Sequence, residues 1–384
     1  MYRHIVIHYD EIALKAQKRG DFERLLVDNI AQKLGGGYAR CRREAGQFVL
    51  DLPDGVSAAP ACDVLSRVPG IAYLSPAHRS AVSYEAMQAA AVDMLRDRPF
   101  ESFRIAARRH CKTYDFTSVD INRAVGAAVQ EARADARVQL SNPDLTLKIE
   151  VTNKHAYLSV ERIEGVGGLP TDARQKVVGL LSGGLDSPVA MFMMMKRGCE
   201  VVLVHFQNQN HETCAVEDKI SRIAEQLARY QVRTQLQIVP FGDVQREIIK
   251  HVRASLRMLF YRRVMLSMAA TVASTVRARF LVTGDVFSQV ASQTYDNLAT
   301  TYTDATMPVL SPLMGMNKQE IVVIARKIGT FDISALPYDD CCSFFVARHP
   351  ELRARPSDLR QSEAKTVLEP LVEQALADVV IRKY

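Results

Sequence analysis

Residues 176–195, KVVGLLSGGLDSPVAMFMMM, decide how this chain is read. The apolar run 177–181 predicts a β-strand. It enters a loop of Ser182, Gly183, Gly184, Leu185, Asp186 and Ser187, and an apolar helix follows over 189–196. Two glycines let the backbone turn tightly and bring its N–H groups close to an anion. Ser182 and Ser187 add hydroxyl donors. The helix presents its positive N-terminus, and Pro188 suits the first turn. These features predict a phosphate cradle. Its spacing is neither the GxxxxGK[ST] of a Walker loop nor the GxGxxG of a dinucleotide fold.

Outward from this loop the pattern alternates. Strands are predicted at 177–181, 200–206, 233–239 and 280–283, and helices at 189–196, 216–230, 241–251, 257–276 and 318–328. Alternation of this kind predicts an α/β fold with a doubly wound parallel sheet over 176–384. Ligands of such sheets sit at the carboxyl ends of the strands. The loop 182–187, the pair His205-Phe206 and the triplet Thr283-Gly284-Asp285 all fall at strand ends, so they should converge on one crevice. The Gly- and Pro-rich stretch 164–175 reads as a linker. Before it, two α+β units are expected, at 1–57 and 58–163. Their helices are placed at 22–34, with Asp21 as N-cap, and at 59–67, 84–96 and 118–132, with Ser118 as N-cap.

A length of 384 residues allows two or three domains, and 48% hydrophobic residues is ordinary for a globular chain. There is no run of 18 apolar residues, so no membrane span is expected. The start MYRHIVIHYDEIALK is strand-like and not a signal peptide, which makes the cytoplasm the default location. The net charge of +6 is compatible with an RNA partner without requiring one. Basic residues gather at Arg40, Arg42 and Arg43, at Arg104, Arg108, Arg109 and Lys112, and at Arg253, Arg257, Arg262 and Arg263. The seven cysteines include no CxxC pair, so neither a zinc knuckle nor a thioredoxin motif is indicated.

The SGGxDS loop resembles that of the ATP pyrophosphatases, or PP-loop enzymes, which cleave ATP between the α and β phosphates. Over essentially its whole length the chain resembles the tRNA 4-thiouridine synthetases, or tRNA sulfurtransferases. HYDEIALK and FERLLVDNI look like that family's ferredoxin-like start. FRIAARRHCKTYDFTSVDINRAVGAAV, followed by VQLSNPDLTLKIEV, looks like a THUMP domain. VGGLP, LLSGGLDSPVAMFMMMKRG, TGDVFSQVASQT, PVLSPLMGMNKQEIVVIARKIGT and PYDDCCSFF complete the match.

The resemblance implies that ATP adenylates the 4-carbonyl oxygen of a tRNA uridine, position 8 by family analogy, and that persulfide sulfur then displaces AMP. It implies ATP contacts at Leu180, Leu181, Ser182, Gly183, Gly184, Asp186, Ser187, His205, Phe206, Arg262, Gly284 and Gln293. Arg262 is preferred over its neighbour Arg263, and Gly284 would permit close ligand approach. Mg²⁺ would accompany ATP, with Asp186 as its ligand or as a brace of the loop. Cys341 and Cys342 are the candidate thiols of the sulfur relay. Spacing does not fix which of them acts, although Cys341 is favoured. Arg104, Arg108, Arg109 and Lys112 would contact RNA backbone. Tyr114 and Phe116 could stack on an unpaired end, although core is the better reading of Phe116. The chain stops at Tyr384, so the form lacking a C-terminal rhodanese domain is expected. A cysteine desulfurase or a separate rhodanese-like carrier would then bring the persulfide. The family's link to thiamine synthesis is not expected to extend to this form. A homodimer is a family possibility that composition does not support.

Two other readings compete. One is a PP-loop ATP pyrophosphatase that amidates or ligates another substrate, which would need no RNA-docking module. The other is a non-catalytic THUMP RNA-binding protein with a degenerate loop. Salt-sensitive tRNA binding tests the first, and formation of AMP and pyrophosphate tests the second.

Overall fold

The computed structural model describes residues 2–35, 41–111, 114–208, 214–337 and 349–384, with the backbone alone at 214–217. Lys112, Cys341 and Cys342 lie outside the described residues. The chain divides into two units, Met1–Pro170 and Thr171–Tyr384.

In the first unit the strands are β1 (His4–Tyr9), β2 (Cys41–Glu44), β3 (Gln47–Asp51), β4 (Ile71–Ser80), β5 (Ser102–Arg109), β6 (Arg137–Val138), β7 (Leu145–Val151), β8 (Ala156–Ser159) and β9 (Ile163–Glu164). The helices are α1 (Arg19–Leu34), α2 (Ala58–Leu65), α3 (Tyr84–Leu95) and α4 (Ser118–Ala132). The strands form one sheet in the order β2-β3-β1-β4-β8-β7-β5-β6, with β9 also on β4. Period-two alternation sets its faces. Ile5, Ile7, Phe48, Leu50 and Leu74 join one apolar cluster, which includes Leu26 and Ile30 of α1 and Ala61 and Leu65 of α2. Phe103, Ile105, Leu147, Ile149 and Leu158 join a second, with residues of α3 and α4. His4 and His8, and Glu150 of β7, take the opposite parity. Two N-caps differ from expectation. Helix α1 begins at Arg19 with Lys18 before it, so Asp21 lies inside its first turn. Helix α4 is capped by Thr117, whose hydroxyl and backbone close a capping box with Asp120, and Ser118 is its first residue.

In the second unit the strands are β10 (Asp172–Leu180), β11 (Cys199–Gln207), β12 (Gln235–Pro240), β13 (Leu281–Val282), β14 (Val309–Leu310) and β15 (Val380–Lys383). The helices are α5 (Asp186–Lys196), α6 (Cys214–Ala228), α7 (Gly242–His251), α8 (Arg257–Val276), α9 (Tyr295–Thr303), α10 (Lys318–Lys327), α11 (Phe331–Ala335), α12 (Pro356–Glu363) and α13 (Glu369–Ala377). The sheet order is β14-β13-β10-β11-β12-β15. The first five run parallel, and β15 closes the edge antiparallel to β12. Strand β10 starts at Asp172, so it takes up the last residues expected in the linker. Its first half is largely exposed and carries no apolar signal.

Strand β10 is central. Val177, Val178 and Gly179 are buried there, and a Cβ on Gly179 would sit 1.8 Å from Met191 Sδ. Glycine therefore sets the close approach of α5 to the sheet. Strand order reverses at β10: β11 follows on one side and β13 lies on the other. That reversal is the topological switch point at which such sheets hold ligands. Among the described residues no helix is long and apolar enough to cross a membrane.

Candidate active site

The loop between β10 and α5 is braced from within. Ser187 Oγ accepts from Ser182 N–H at 2.9 Å and lies 3.0 Å from Ser182 Oγ, which accepts from Gly184 N–H at 3.3 Å. Ser187 is buried, and its hydroxyl closes the turn from the first residue of the loop to the first turn of α5. The N–H groups of Gly183 and Leu185 have no acceptor among the described residues. Pro188, in the first turn of α5, lacks the N–H that a helix start would leave unpaired. The arrangement is a turn whose hydroxyls hold its shape and whose backbone amides remain available to an anion.

The flanking strands fix this turn. Leu181 N–H donates to Val204 O at 2.8 Å, and His205 Nδ1 lies 2.9 Å from Leu181 O. His205 and Phe206 are both buried, and the Phe206 ring meets Phe241 edge-on at 5.6 Å. On the other side of β10, Gly284 lies against the start of α5. A Cβ there would be 2.6 Å from Ser187 N and 2.9 Å from the Asp186 carbonyl carbon. The glycine is thus required first by the loop, which is a different reason from ligand approach.

Asp186 is held at both oxygens. Lys318 Nζ, at the start of α10, is 2.8 Å from Oδ1, and Gln289 Nε2 donates to Oδ2 at 2.7 Å. Ser334 Oγ donates to Gly184 O at 3.3 Å. These partners come from segments more than a hundred residues away in sequence, and none was singled out by sequence reasoning. The only signal was that Gln289 and Lys318 lie inside the matched stretches TGDVFSQVASQT and PVLSPLMGMNKQE.

Beside the loop, at the end of β13, a buried polar cluster surrounds Asp285. Its Oδ2 receives Arg262 Nη2, the Tyr302 hydroxyl and Thr283 Oγ1, the last at 2.8 Å, and its Oδ1 receives Gln293 Nε2 at 3.1 Å. Thr283 Oγ1 also lies 2.9 Å from Ser311 Oγ at the end of β14. Burial by itself would raise the Asp285 carboxyl. The Arg262 guanidinium and the hydroxyls outweigh that and hold it below the usual carboxylate range. Burial and the same carboxylate push the Tyr302 phenol up to about 12. Gln293 Oε1 is buried and has no hydrogen-bond partner among the described residues. Arg263 turns elsewhere, to Asp304 at 2.9 Å and Glu363 at 2.8 Å. Adjacent residues on α8 point to different faces, and only Arg262 reaches the crevice.

In the first unit, the alternation of β5 separates the basic candidates. Arg104 and Arg108 are exposed on one face. Arg109, of the other parity, donates to the carbonyls of Tyr114 and Phe116 and secures its own loop. Tyr114 and Phe116 stack on each other at 5.3 Å, partly buried against the apolar cluster under α3 and α4, and Tyr114 OH donates to Asn153 O. Both rings are therefore engaged in packing.

Three family models match the chain: a ThiI ferredoxin-like domain over residues 4–75, a THUMP domain over 81–161 and a thiamine biosynthesis protein (ThiI) model over 172–368. A probable tRNA sulfurtransferase of Thermus thermophilus is 39% identical over 378 residues, covering 98% of this chain and 92% of that protein. One from Caldanaerobacter subterraneus subsp. tengcongensis is 35% identical over 377 residues, covering 98% of each. Among solved structures, a complex of a 4-thiouridine synthetase with RNA and bound ATP is similar over 100% of both chains, with a TM-score of 0.88 and 31% identity.

Proposed function

The chain belongs to the ThiI family of tRNA sulfurtransferases, and from that membership we propose that it makes 4-thiouridine in tRNA by adenylating a uridine and replacing AMP with sulfur. The observation that carries this reading is the loop 182–187 at the switch point of a parallel sheet, where the amides of Gly183 and Leu185 have no acceptor among the described residues.

On this reading the amides at 183–187 receive the phosphates of ATP. The uridine O4 attacks the α-phosphorus and the bond to the β-phosphate oxygen breaks, so pyrophosphate leaves and the uridine carries AMP. The terminal sulfur of a persulfide then adds at C4, and AMP departs with the former O4, leaving the base joined to the carrier through an S–S bond. A second thiol attacks the carrier sulfur, and that bond breaks. The base keeps one sulfur as the thione, and the carrier and second thiol leave as a disulfide that an external dithiol reduces. Backbone donors aimed at the developing phosphate charge lower the barrier without reorganising. Leu180 and Leu181 offer backbone groups at the strand end, His205 and Phe206 line the same end, and Gln293 retains one buried acceptor atom for the nucleotide. Arg262, fixed by Asp285, and Gly284 complete the crevice.

Lys318 is the cation best placed for a phosphate, since it already sits on the anionic group of the loop. Asp186 fits a resident Mg²⁺ poorly as it stands, because Lys318 and Gln289 take both of its oxygens. Metal arriving with ATP would have to draw it away from them.

Arg104 and Arg108 are proposed to contact RNA phosphates, with Lys112 beside them in sequence. Arg109 holds the carbonyls of Tyr114 and Phe116 in the segment after β5. Cys341 and Cys342 are proposed to carry the sulfur relay, fed by a cysteine desulfurase or a rhodanese-like carrier. The testing experiment is mass spectrometry of tRNA after incubation with ATP and a persulfide source, comparing the native chain with Cys341→Ala and Cys342→Ala. Loss of sulfur incorporation in one variant assigns the thiol. Unchanged incorporation in both refutes the relay.

A further inference from the structure

From the end of β13 to the first residue of α9 the chain carries two large aromatic side chains in the open. Phe287 is 48% exposed and Tyr295 is 74% exposed, and their rings lie roughly parallel, at 24°, with centroids 6.4 Å apart. Val290, between them in sequence, is 52% exposed. Apolar side chains scattered singly on a surface need no explanation. Two aromatic rings and a valine gathered on one short segment do.

This segment is well ordered by its own bonds. Ser288 takes a left-handed φ of 58° and its N–H donates to Gln293 O at 2.9 Å, while Gln293 N–H returns to Val290 O at 2.8 Å. Thr294 caps α9 through Asn297 N–H. Gln293 is anchored on Asp285, and Gln289, two residues after Phe287, donates to Asp186 Oδ2 at 2.7 Å. The nine residues from Phe287 to Tyr295 thus hold the phosphate loop by one side chain and the buried Asp285 cluster by another, and leave two aromatic rings exposed.

From this juxtaposition we propose that Phe287 and Tyr295 form a stacking ledge for the target nucleobase of the RNA, beside the loop that binds the phosphates of ATP. The inference rests on the reading given under Proposed function. An enzyme that reacts at a base must take that base out of its stack, and the extruded base needs an apolar face to replace the one it lost. Aromatic rings supply that face for any base. The segment that carries the ledge is tied to the phosphate loop through Gln289, which donates to Asp186, and the base has to arrive beside that loop for its carbonyl oxygen to meet ATP. The ledge is uncharged. It therefore acts on placement of the base, while overall RNA affinity stays with the phosphate contacts.

The test uses the full chain, an unmodified tRNA transcript, ATP and a persulfide source. Native protein is compared with Phe287→Ala, Tyr295→Ala and Tyr295→Phe, and kcat/KM for tRNA, KM for ATP and melting temperature are measured. Each alanine variant should lower kcat/KM for tRNA between about 5- and 150-fold, the range for loss of one base–aromatic stack. KM for ATP should stay within about twofold, and Tyr295→Phe should recover the loss because the ring face remains. Melting should be unchanged, since both side chains are exposed.

Unchanged kcat/KM in both alanine variants overturns the proposal. So does a loss that Tyr295→Phe reproduces, which would point to the hydroxyl. A loss that depends on protein or persulfide-donor concentration, but not on tRNA, also overturns it, because the ledge would then be a protein contact. If the native chain itself forms no 4-thiouridine, the underlying function fails, a result separate from any difference among the variants.

Discussion

Lys318 Nζ lies 2.8 Å from Asp186 Oδ1, so a lysine 132 residues further along the chain sits on the acidic group of the glycine-rich loop. The pair is partly exposed, with Lys318 at 49% and Asp186 at 20%. Such pairs contribute little to stability, about 1 kcal/mol or less. The value of this one lies in where it parks a positive charge: on the acidic residue of the glycine-rich loop.

Lys318→Met should therefore separate binding from folding. Loss of a charge-assisted contact to a phosphate is worth about 1.5–3 kcal/mol, so KM for ATP should rise between about 10- and 150-fold. Thermal unfolding should shift by no more than about 1 kcal/mol. Steady-state AMP formation and a melting curve on the same sample check both. A variant that melts far lower with unchanged KM would make Lys318 a structural residue.

The two neighbouring arginines of α8 should behave differently. Arg262→Gln removes the cation facing the buried Asp285, and leaving a buried charge without its partner costs about 3–5 kcal/mol. It should also raise KM for ATP. Arg263→Gln releases the more exposed Asp304 and Glu363, at about 1 kcal/mol, and should leave KM for ATP unchanged. Equal effects on KM would contradict the division of roles.

Gly284→Ala should disable the loop without touching any side chain in it. The added methyl would press on Ser187 N and Cα, at 2.6 and 2.8 Å, which are backbone atoms at the start of α5 and cannot swing aside. Overpacking of this kind costs about 1–3 kcal/mol, and here it would displace the amides that face the anion. Gly315→Ala, with nothing within 4 Å of the new Cβ, is the matched control. Nucleotide binding followed by calorimetry should be lost in the first and kept in the second.

Acid should loosen the first unit through Glu150. It lies between His8 Nε2, at 3.1 Å, and His110 Nε2, at 3.6 Å. Burial alone would raise this carboxyl, but the two imidazoles beside it prevail and bring it down to about 2. A depressed carboxyl contributes stability that is complete above its unfolded value, about 4.5, and is lost as pH falls toward 2. The contribution is on the order of 3 kcal/mol. Glu150→Gln should lower stability at neutral pH and flatten this acid limb in denaturant titrations between about pH 5 and 2.5. A limb that keeps its slope would show that other carboxyls set it.

Strand, loop and helix around 182–187 were legible because their signals are local: an apolar run, two glycines and a proline. Elements without such signals were not. Strand β2 is Cys-Arg-Arg-Glu and β15 is Val-Ile-Arg-Lys at a sheet edge, and their pairing partners, not their composition, make them strands. Helix α9 has mostly polar residues, which its buried Asn297, Thr300 and Thr301 bond to neighbouring backbone carbonyls. The partners of the loop were hidden for a related reason. Lys318, Gln289 and Ser334 are polar residues at helix ends or in loops, where periodicity carries no information, and only the folded sheet brings them to Asp186 and Gly184. Sequence placed Arg262 and Arg263 together, and helix geometry parted them. The same is true of Arg108 and Arg109 on β5.

The central claim is that the loop 182–187 holds ATP for cleavage between its α and β phosphates, with AMP passing to tRNA uridine. The most direct measurement follows ATP labelled at the α-phosphate, with tRNA and a persulfide source present, and counts nucleotide products against 4-thiouridine formed. The account predicts AMP and pyrophosphate, one AMP for each sulfur incorporated, and no turnover of either when Ser182 and Asp186 are replaced by alanine and asparagine. Appearance of ADP and inorganic phosphate in place of AMP, or sulfur incorporation without ATP, would contradict it.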